Sequence, residues 1–327
     1  MNSNKNHTLK SRRIKVGITI GDPSGIGPAI TLAAISKLNG LADFVIIGDK
    51  WVFDKGKRQK AKGKNYKFVD LHNVPHKNFS FGKIKAEYGR ASIEYLDRAL
   101  ELIKSKEIDC LVTCPISKEA INKAGFIYGG HTEYLSERSH SKNLVMMLLN
   151  NQLKFSLVTR HIPLKSVSSK INQESLYKTI SLTSLSLKKL FLIKEPRIVV
   201  CGLNPHASDN GVIGLEENKI IQPSLQKLRS KIKNLVGPIS ADVAIAKANK
   251  QEFDCVIAMY HDQALIPLKL HGNFKGVNIT LGLPFVRTSP LHGTAFDIAR
   301  NHTRANPGSL IEAISLAVKC TSNLRKD

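Results

Sequence analysis

Seven short apolar runs, most of them rich in β-branched residues, recur along the chain at intervals wide enough to hold helices between them. No other feature limits the fold as much. They are IKVGITI (14–20), DFVIIGD (43–49), DCLVTCP (109–115), NLVMMLL (143–149), KFSLVTR (154–160), PRIVVCG (196–202) and DCVIAMY (254–260). Near-continuous apolar runs of this length suit strands covered on both faces, so a mostly parallel sheet flanked by helices is expected. Helix-period segments fill 86–106, 173–193, 223–233 and 307–324, the last entered through Asn306, Pro307 and Gly308, with proline near the first turn. At 327 residues the chain exceeds the size at which one core stops growing, so two lobes with a cleft between them are expected. There is no internal repeat or low-complexity linker, which makes the lobe boundary a crossing of the chain rather than a tether.

Several function classes are disfavoured at this stage. No apolar stretch approaches the roughly 20 residues of a membrane span. The start, MNSNKNHTLKSRR, is polar and basic without a signal core; 1–13 is expected to be a disordered tail and the protein cytoplasmic. The five cysteines, Cys110, Cys114, Cys201, Cys255 and Cys320, are odd in number and set in apolar runs. They suit buried thiols in a reducing compartment, and no disulfide or cysteine metal site is assigned. A net charge of +23 invites a nucleic-acid reading. The basic residues, however, gather in the tail, in 55–67 and in 227–233, without aromatic interleaving. They read as a solvated lysine-rich surface that attracts small anions, so neither nucleic acid nor membrane is expected as a partner.

In open α/β sheets ligands collect beyond the carboxyl ends of strands, and polar strings stand there in this chain: GDPSGIGP, TCPISK, RHIPL, GLNPHA and YHDQ. His161, His206 and His261 each follow an apolar run. Three imidazoles with an open position suit a catalytic divalent ion, although spacings this long also suit ordinary turn histidines. Asp262 reads as a helix cap or as an acceptor that orients His261. GDPSGIGP (21–28) reads as a tight turn or as a loop that brings backbone amides to an anion. It matches neither GxGxxG nor the Walker pattern. Lys118, His131, Thr132, Lys269 and Arg287, with Asn278 as a neutral partner, are candidates for anion capture.

Residues 290–307, PLHGTAFDIARNHTRANP, resemble the cofactor loop of isocitrate and isopropylmalate dehydrogenases. That resemblance implies that His292, Gly293, Thr294 and Asp297 lie near the adenosine of a dinucleotide. GDPSGIGP, TCPISKEAI, GGHTEYL, GLNPHA, AMYHDQ and GVNITLGLPFVRTS occur in that order, and with them the chain resembles the 4-hydroxythreonine-4-phosphate dehydrogenase family from about 14 to 324. The resemblance implies a two-domain α/β/α fold of the isocitrate dehydrogenase type and a homodimer with a shared active site. It also implies NAD or NADP, and one divalent metal per subunit, whether zinc, magnesium or cobalt. His161, His206 and His261 would be the metal ligands; His131, Thr132, Lys269, Asn278 and Arg287 would hold a small phosphorylated substrate. Asp242 and Lys269 are taken as the catalytic groups, Asp242 by its likeness to a family acidic residue near the metal. One departure is Ala29, where family members usually carry an acidic residue after GIGP.

The expected division is 14–130 with 255–327 as a first domain carrying the cofactor loop, and 131–254 as a second with the dimer interface. The expected reaction oxidises 4-phosphohydroxy-L-threonine and then releases carbon dioxide, a step of vitamin B6 synthesis. Within the family, 4-phosphothreonate or 4-phosphoerythronate is the rival substrate. A phosphate acyltransferase on a related fold, and a basic nucleic-acid-binding module, are rivals of other classes.

Overall fold

The computed structural model describes residues 12–56, 66–272, 275–301 and 304–326. Each of the seven apolar runs forms a strand there. In chain order the strands are β1 Lys15–Thr19, β2 Asp43–Gly48, β3 Tyr66–Asp70, β4 Cys110–Thr113, β5 Val145–Leu149, β6 Lys154–Leu157, β7 Ile198–Cys201, β8 Leu235–Ile239, β9 Cys255–Ala258, β10 Val277–Leu281 and β11 Val286–Pro290. The four strands beyond the expected seven have physical reasons for being harder to read. β3 and β8 are the two edges of the sheet; β3 is only partly covered and carries Lys67 and Asp70, and β8 contains Gly237 and Pro238, residues that edges tolerate. β10 and β11 are antiparallel neighbours separated by Gly282 and Pro284. Gly282 has φ 94°, and a Cβ there would meet the Asn143 carbonyl oxygen at 2.1 Å, so the turn depends on glycine.

The eleven strands make one sheet in the order β3-β2-β1-β4-β11-β10-β5-β6-β9-β7-β8. All ladders are parallel except β11–β10, β10–β5 and β5–β6. It follows that β1 to β4, β11 and β5 point one way, while β10, β6, β9, β7 and β8 point the other. The carboxyl ends of β1, β4 and β11 therefore lie at the opposite edge from those of β6, β7 and β9. This corrects the idea of a single rim of strand ends. What joins the two sets is the connection from β4 to β5. These strands point the same way, so the chain between them must run back along the sheet, and it carries Lys118 and Glu133 to the segment that follows β6.

The helices lie where their periodicity places them, at Ala86–Lys104, Gln173–Phe191, Gln222–Arg229 and Gly308–Leu324. The last begins after Pro307, with the Gly308 amide donating to Asn306 Oδ1 at 2.8 Å. Both faces of the sheet are covered. A large cluster including Ile18, Ile46, Val112, Ile257 and Ile279 is continuous through both halves. A smaller one, including Phe155, Val199, Val256 and Leu268, belongs to the half around β6, β7 and β9. All five cysteines are free and buried. Among the described residues no helix is long and apolar enough to cross a membrane. The expected tail lies outside the described residues except for Arg12 and Arg13; Arg12 and Arg325 both pair with Asp109. Most of the lysine run at 55–67 also lies outside them.

Candidate functional site

The reversal of strand direction around β10 creates a polar floor in an otherwise apolar sheet. Arg287 on β11 is buried, donating to Thr280 Oγ1 at 3.0 Å and to Thr113 Oγ1 at 2.6 Å. Burial lowers its guanidinium to about 10, with Glu133 pulling the other way, so it remains cationic at neutral pH. His131 opens the helix His131–Arg138. Burial and the Arg287 charge hold its imidazole well below the ordinary 6.5, against a hydrogen bond to the Cys114 backbone. It is therefore neutral. Arg287 Nε, His131 Nε2 and Asn278 Oδ1 are buried without a partner among the described residues. Burying such atoms unpaired costs about 1–3 kcal/mol each, so a cluster of them points to a polar ligand. Thr132, the neighbour of His131, is buried beside them.

A cleft of about 400 Å³ is lined by Lys118, Glu133, Arg160, His161 and Lys170, with Gly129 in its wall. Glu133 joins rim to floor. It stands 3.9 Å from Arg160 and offsets positive charge at both His161 and Arg287. His161 is exposed, and partial desolvation, then Lys118 and His261, lower its pKa. The His161 and His261 rings lie 5.4 Å apart, tilted 49°. Two imidazoles bound at about 2.0 Å to one tetrahedral ion have ring centroids about 5 Å apart, so this pair fits a shared cation. Asp262 is not the cap of its helix, a position held by Tyr260. Its Oδ1 instead lies 2.6 Å from His261 Nδ1, which leaves Nε2 as the free ligand atom, a common arrangement for ligating histidines.

Other expected residues stand apart. His206 is exposed in the loop after β7. There, His206, Ala207, Ser208, Asp209 and Asn210 all have left-handed backbone angles, with φ between 42° and 72°. Such angles cost roughly 1 kcal/mol or more per non-glycine residue and rarely occur in succession. Asp242 is exposed, accepts from Ser240 Oγ, and is held below the usual carboxylate value chiefly by that bond, with a smaller contribution from His206. Lys269 is exposed on the helix His261–His271 and does not line the cleft. Among the described residues no group of three metal-binding side chains assembles within the single chain.

The glycine loop is packed against protein. The Asp22 amide donates to Pro115 O at 2.9 Å, Gly82 N to Ser24 O at 2.7 Å and Ile26 N to Thr294 O at 3.0 Å. A Cβ on Gly25 would sit 3.1 Å from Thr294 O, and one on Gly27 would sit 1.9 Å from Ile20 O. These glycines therefore serve close backbone approach to neighbouring loops. Asp22 Oδ1 accepts from Ser24 N at 2.9 Å, so the loop is anchored with Ala29 in place of a carboxylate. Thr294 is thereby fixed. Gly293 is exposed with open space around it, Asp297 is exposed, and His292 keeps Nε2 unpartnered among the described residues. Part of the cofactor-like string, 302–303, lies outside the described residues.

Sequence reasoning passed over Thr113, Thr280, Glu133 and Arg160. Glu133 and Arg160 each stand beside a singled-out residue, in GGHTEYL and RHIPL. Thr113 heads TCPISK and Thr280 lies in GVNITLGLPFVRTS, but neither drew a role, since a strand threonine is ordinary until its neighbour is known to be a buried arginine.

Three relatives share this arrangement of sequence or fold. A protein of Sulfurihydrogenibium sp. named 4-hydroxythreonine-4-phosphate dehydrogenase is 44% identical over 317 residues, 93% of this chain and 98% of its own length. One of Salmonella typhimurium, named D-threonate 4-phosphate dehydrogenase, is 38% identical, over 93% of this chain and 98% of its own. The crystal structure of 4-hydroxythreonine-4-phosphate dehydrogenase from Klebsiella pneumoniae superposes with a TM-score of 0.84 at 31% identity, covering 95% of this chain and 99% of that one. Residues 20–317 match the family described as pyridoxal phosphate biosynthetic protein PdxA. A buried arginine and histidine floor, a paired-histidine rim and a match running almost end to end thus lead to one statement: this chain belongs to the PdxA family, and the relatives compared above are oxidoreductases by name.

Proposed function

We propose that this chain is an NAD- or NADP-dependent dehydrogenase of vitamin B6 synthesis, requiring a divalent metal. It oxidises 4-phosphohydroxy-L-threonine to 2-amino-3-oxo-4-phosphooxybutanoate, which loses carbon dioxide to give 3-amino-2-oxopropyl phosphate. The observation that carries this reading is the close His161 and His261 pair beside a cleft lined by Glu133, which also acts on Arg287 in a buried group with His131 and Asn278 that keeps unused polar atoms.

The residues present fit the groups the reaction needs. His161, with its lowered pKa, and His261, oriented by Asp262, would hold a divalent cation. When bound it supplies Lewis acidity toward substrate oxygens, as the dinucleotide supplies a hydride acceptor. The loop carrying His292, Gly293, Thr294 and Asp297 would hold the adenosine end, a reading supported by the open space at Gly293 and the unused His292 nitrogen. Arg287 and Lys118 neutralise substrate anions, and His131, Thr132 and Asn278 supply neutral hydrogen bonds, fixing non-reacting atoms so that the reacting carbon is held in register. Asp242 and Lys269 are assigned to proton handling.

His206 is the third ligand proposed for the same ion; His206, Asp242 and Lys269 are all exposed in the single chain, and we place them in a site completed by a second copy. Val212, Ile266 and Leu270 support this. They are 85%, 59% and 77% exposed on the elements that carry His206 and His261, and large exposed apolar side chains in company suit a subunit contact. The two-lobe division, 14–130 with 255–327 and 131–254, belongs to the same proposal. The reversal at β10 supports a seam in mid-sheet, but β9 pairs with β6 and β7, so it sits with the second lobe although the division numbers it in the first.

The relative named for D-threonate 4-phosphate favours one rival substrate. Steady-state rates with 4-phosphohydroxy-L-threonine and with 4-phospho-D-threonate decide between them. A higher kcat/KM for the amine-bearing substrate is expected, and the reverse order would transfer the assignment.

A further inference from the structure

The three histidine-bearing turns leave the ends of β6, β9 and β7, adjacent strands, and one buried chain of hydrogen bonds runs through all three. The Met259 carbonyl, two residues before His261, accepts from Thr159 N at 3.1 Å and Thr159 Oγ1 at 2.6 Å; Thr159 is itself two residues before His161. The Met259 amide donates to Gln263 Oε1 at 2.7 Å, and Gln263 Nε2 donates to the Gly202 carbonyl at 2.9 Å. Past Gly202, the amides of Leu203 and Asn204 donate to Glu217 Oε1, each at 2.8 Å. The next residues are Pro205 and His206. Thr159, Gln263 and Glu217 are 6%, 8% and 1% exposed.

We propose that Gln263 is a positioning residue, whose amide sets the spacing between the His206 and His261 turns and so tunes affinity for a divalent cation. This rests on reading His161, His206 and His261 as ligands. The physical ground is the shape of the amide. Only a side chain with a donor and an acceptor at one end can serve Met259 N and Gly202 O together. Both partners are main-chain atoms at strand ends, so the bond fixes backbone rather than a mobile side chain. The left-handed run from His206 to Asn210 needs such support, because strained backbone persists only where its surroundings over-determine it. Glu217 supplies a second support beyond Gly202, and Thr159 ties the His161 turn to the same carbonyl strip.

The test measures Co²⁺ affinity, by competition with a chelator, for the full-length protein and for Gln263→Leu, Thr159→Val and Thr159→Ser, alongside the Tm of each metal-free protein. Gln263→Leu removes both amide bonds, Thr159→Val removes the hydroxyl while keeping the shape, and Thr159→Ser restores it. Loss of a direct partner of a ligating ring typically weakens binding by about 10- to 100-fold; because Gln263 and Thr159 act one step further out, through main-chain bonds, a loss of about 10-fold is expected for the Leu and Val variants, with near-parental affinity for Ser. kcat should fall with metal affinity while KM for the dinucleotide holds, since its loop follows β11, whose carboxyl end lies at the opposite edge of the sheet from those of β6, β7 and β9. If the Leu variant does not fold, Gln263→Glu decides, because it keeps the acceptor for Met259 N and removes the donor to the Gly202 carbonyl, and it is expected to weaken Co²⁺ binding. Variants that bind Co²⁺ as tightly as the parent, whatever their Tm, would overturn the positioning role alone. A parent that binds no Co²⁺ would overturn the metal reading and this inference with it.

Discussion

The glycine loop after β1 and the histidine turns after β6 and β9 are both strand-end segments, yet they are built in opposite ways. Residues 21–28 are buried throughout, their amides spent on Pro115 and Thr294 and on Asp22 itself, and their glycines touch backbone. His161 and His206 are exposed, and the buried group around Arg287 keeps Arg287 Nε and His131 Nε2 without partners among the described residues. The first region has spent its amides within the protein, although Asp22 Oδ2 is buried without a partner among the described residues. The second is left to be completed by something else, and that difference separates a scaffold loop from a binding surface more reliably than glycine content does.

Substitutions that exchange the character of the two regions test this contrast. Gly27→Ala should have the largest effect on stability, because its Cβ would lie 1.9 Å from the Ile20 carbonyl oxygen; a loss of about 3 kcal/mol is expected from overpacking of this kind. Urea denaturation measures it, and a neutral result would mean that the loop is looser than its contacts imply.

Asp22 gives a somewhat smaller effect of opposite sign. Burial raises its carboxyl from 3.8 to about 6, against hydrogen bonds from Ser24. The folded state therefore binds more protons than the unfolded one between those values, so stability falls as pH rises through that window and stays lowered above it. Asp22→Asn should be more stable than the parent by about 2 kcal/mol above pH 6, since a one-unit shift is worth about 1.4 kcal/mol and the amide recovers only part of it. The difference should vanish below the ordinary carboxylate value of 3.8. Denaturation at acid and neutral pH checks both the sign and the window.

In the open region, stability should hardly respond. His161→Ala should change it by no more than about 0.5 kcal/mol, as for other exposed sites, while removing most divalent-cation binding measured by calorimetry. Glu133→Gln should be comparably small. Its 3.9 Å pairing with Arg160 is between partly exposed groups, and such pairs are worth about 0–1 kcal/mol. The readout there is KM for the phosphorylated substrate, expected to shift because Glu133 offsets charge at both Arg287 and His161.

Much of this was legible in the residues. Strands buried on both faces announce themselves as apolar runs, which is why β1, β2 and β4 to β7 could be read along with β9. The edges β3 and β8 carry too many polar or turn-forming residues for that, and the β10–β11 hairpin is broken by Gly282 and Pro284. His161 and His261 could be picked out as strand-end histidines, but their 5.4 Å approach depends on β6 and β9 being neighbours, a fact of long-range pairing. The direction reversal at β10 was equally invisible locally, and with it the split of strand ends between two edges. Gln263 lies in YHDQ, beside residues already singled out. What it does depends on Gly202, 61 positions away in the chain, and no local pattern encodes such a partner.

The most direct test follows dinucleotide reduction by 4-phosphohydroxy-L-threonine before chelation, after exhaustive chelation and after a divalent cation is returned. Turnover should disappear on chelation and return with the ion, in the parent but not in His161→Ala or His261→Ala. Undiminished turnover in metal-free protein would contradict the role given to the two imidazoles, whatever the fold and family.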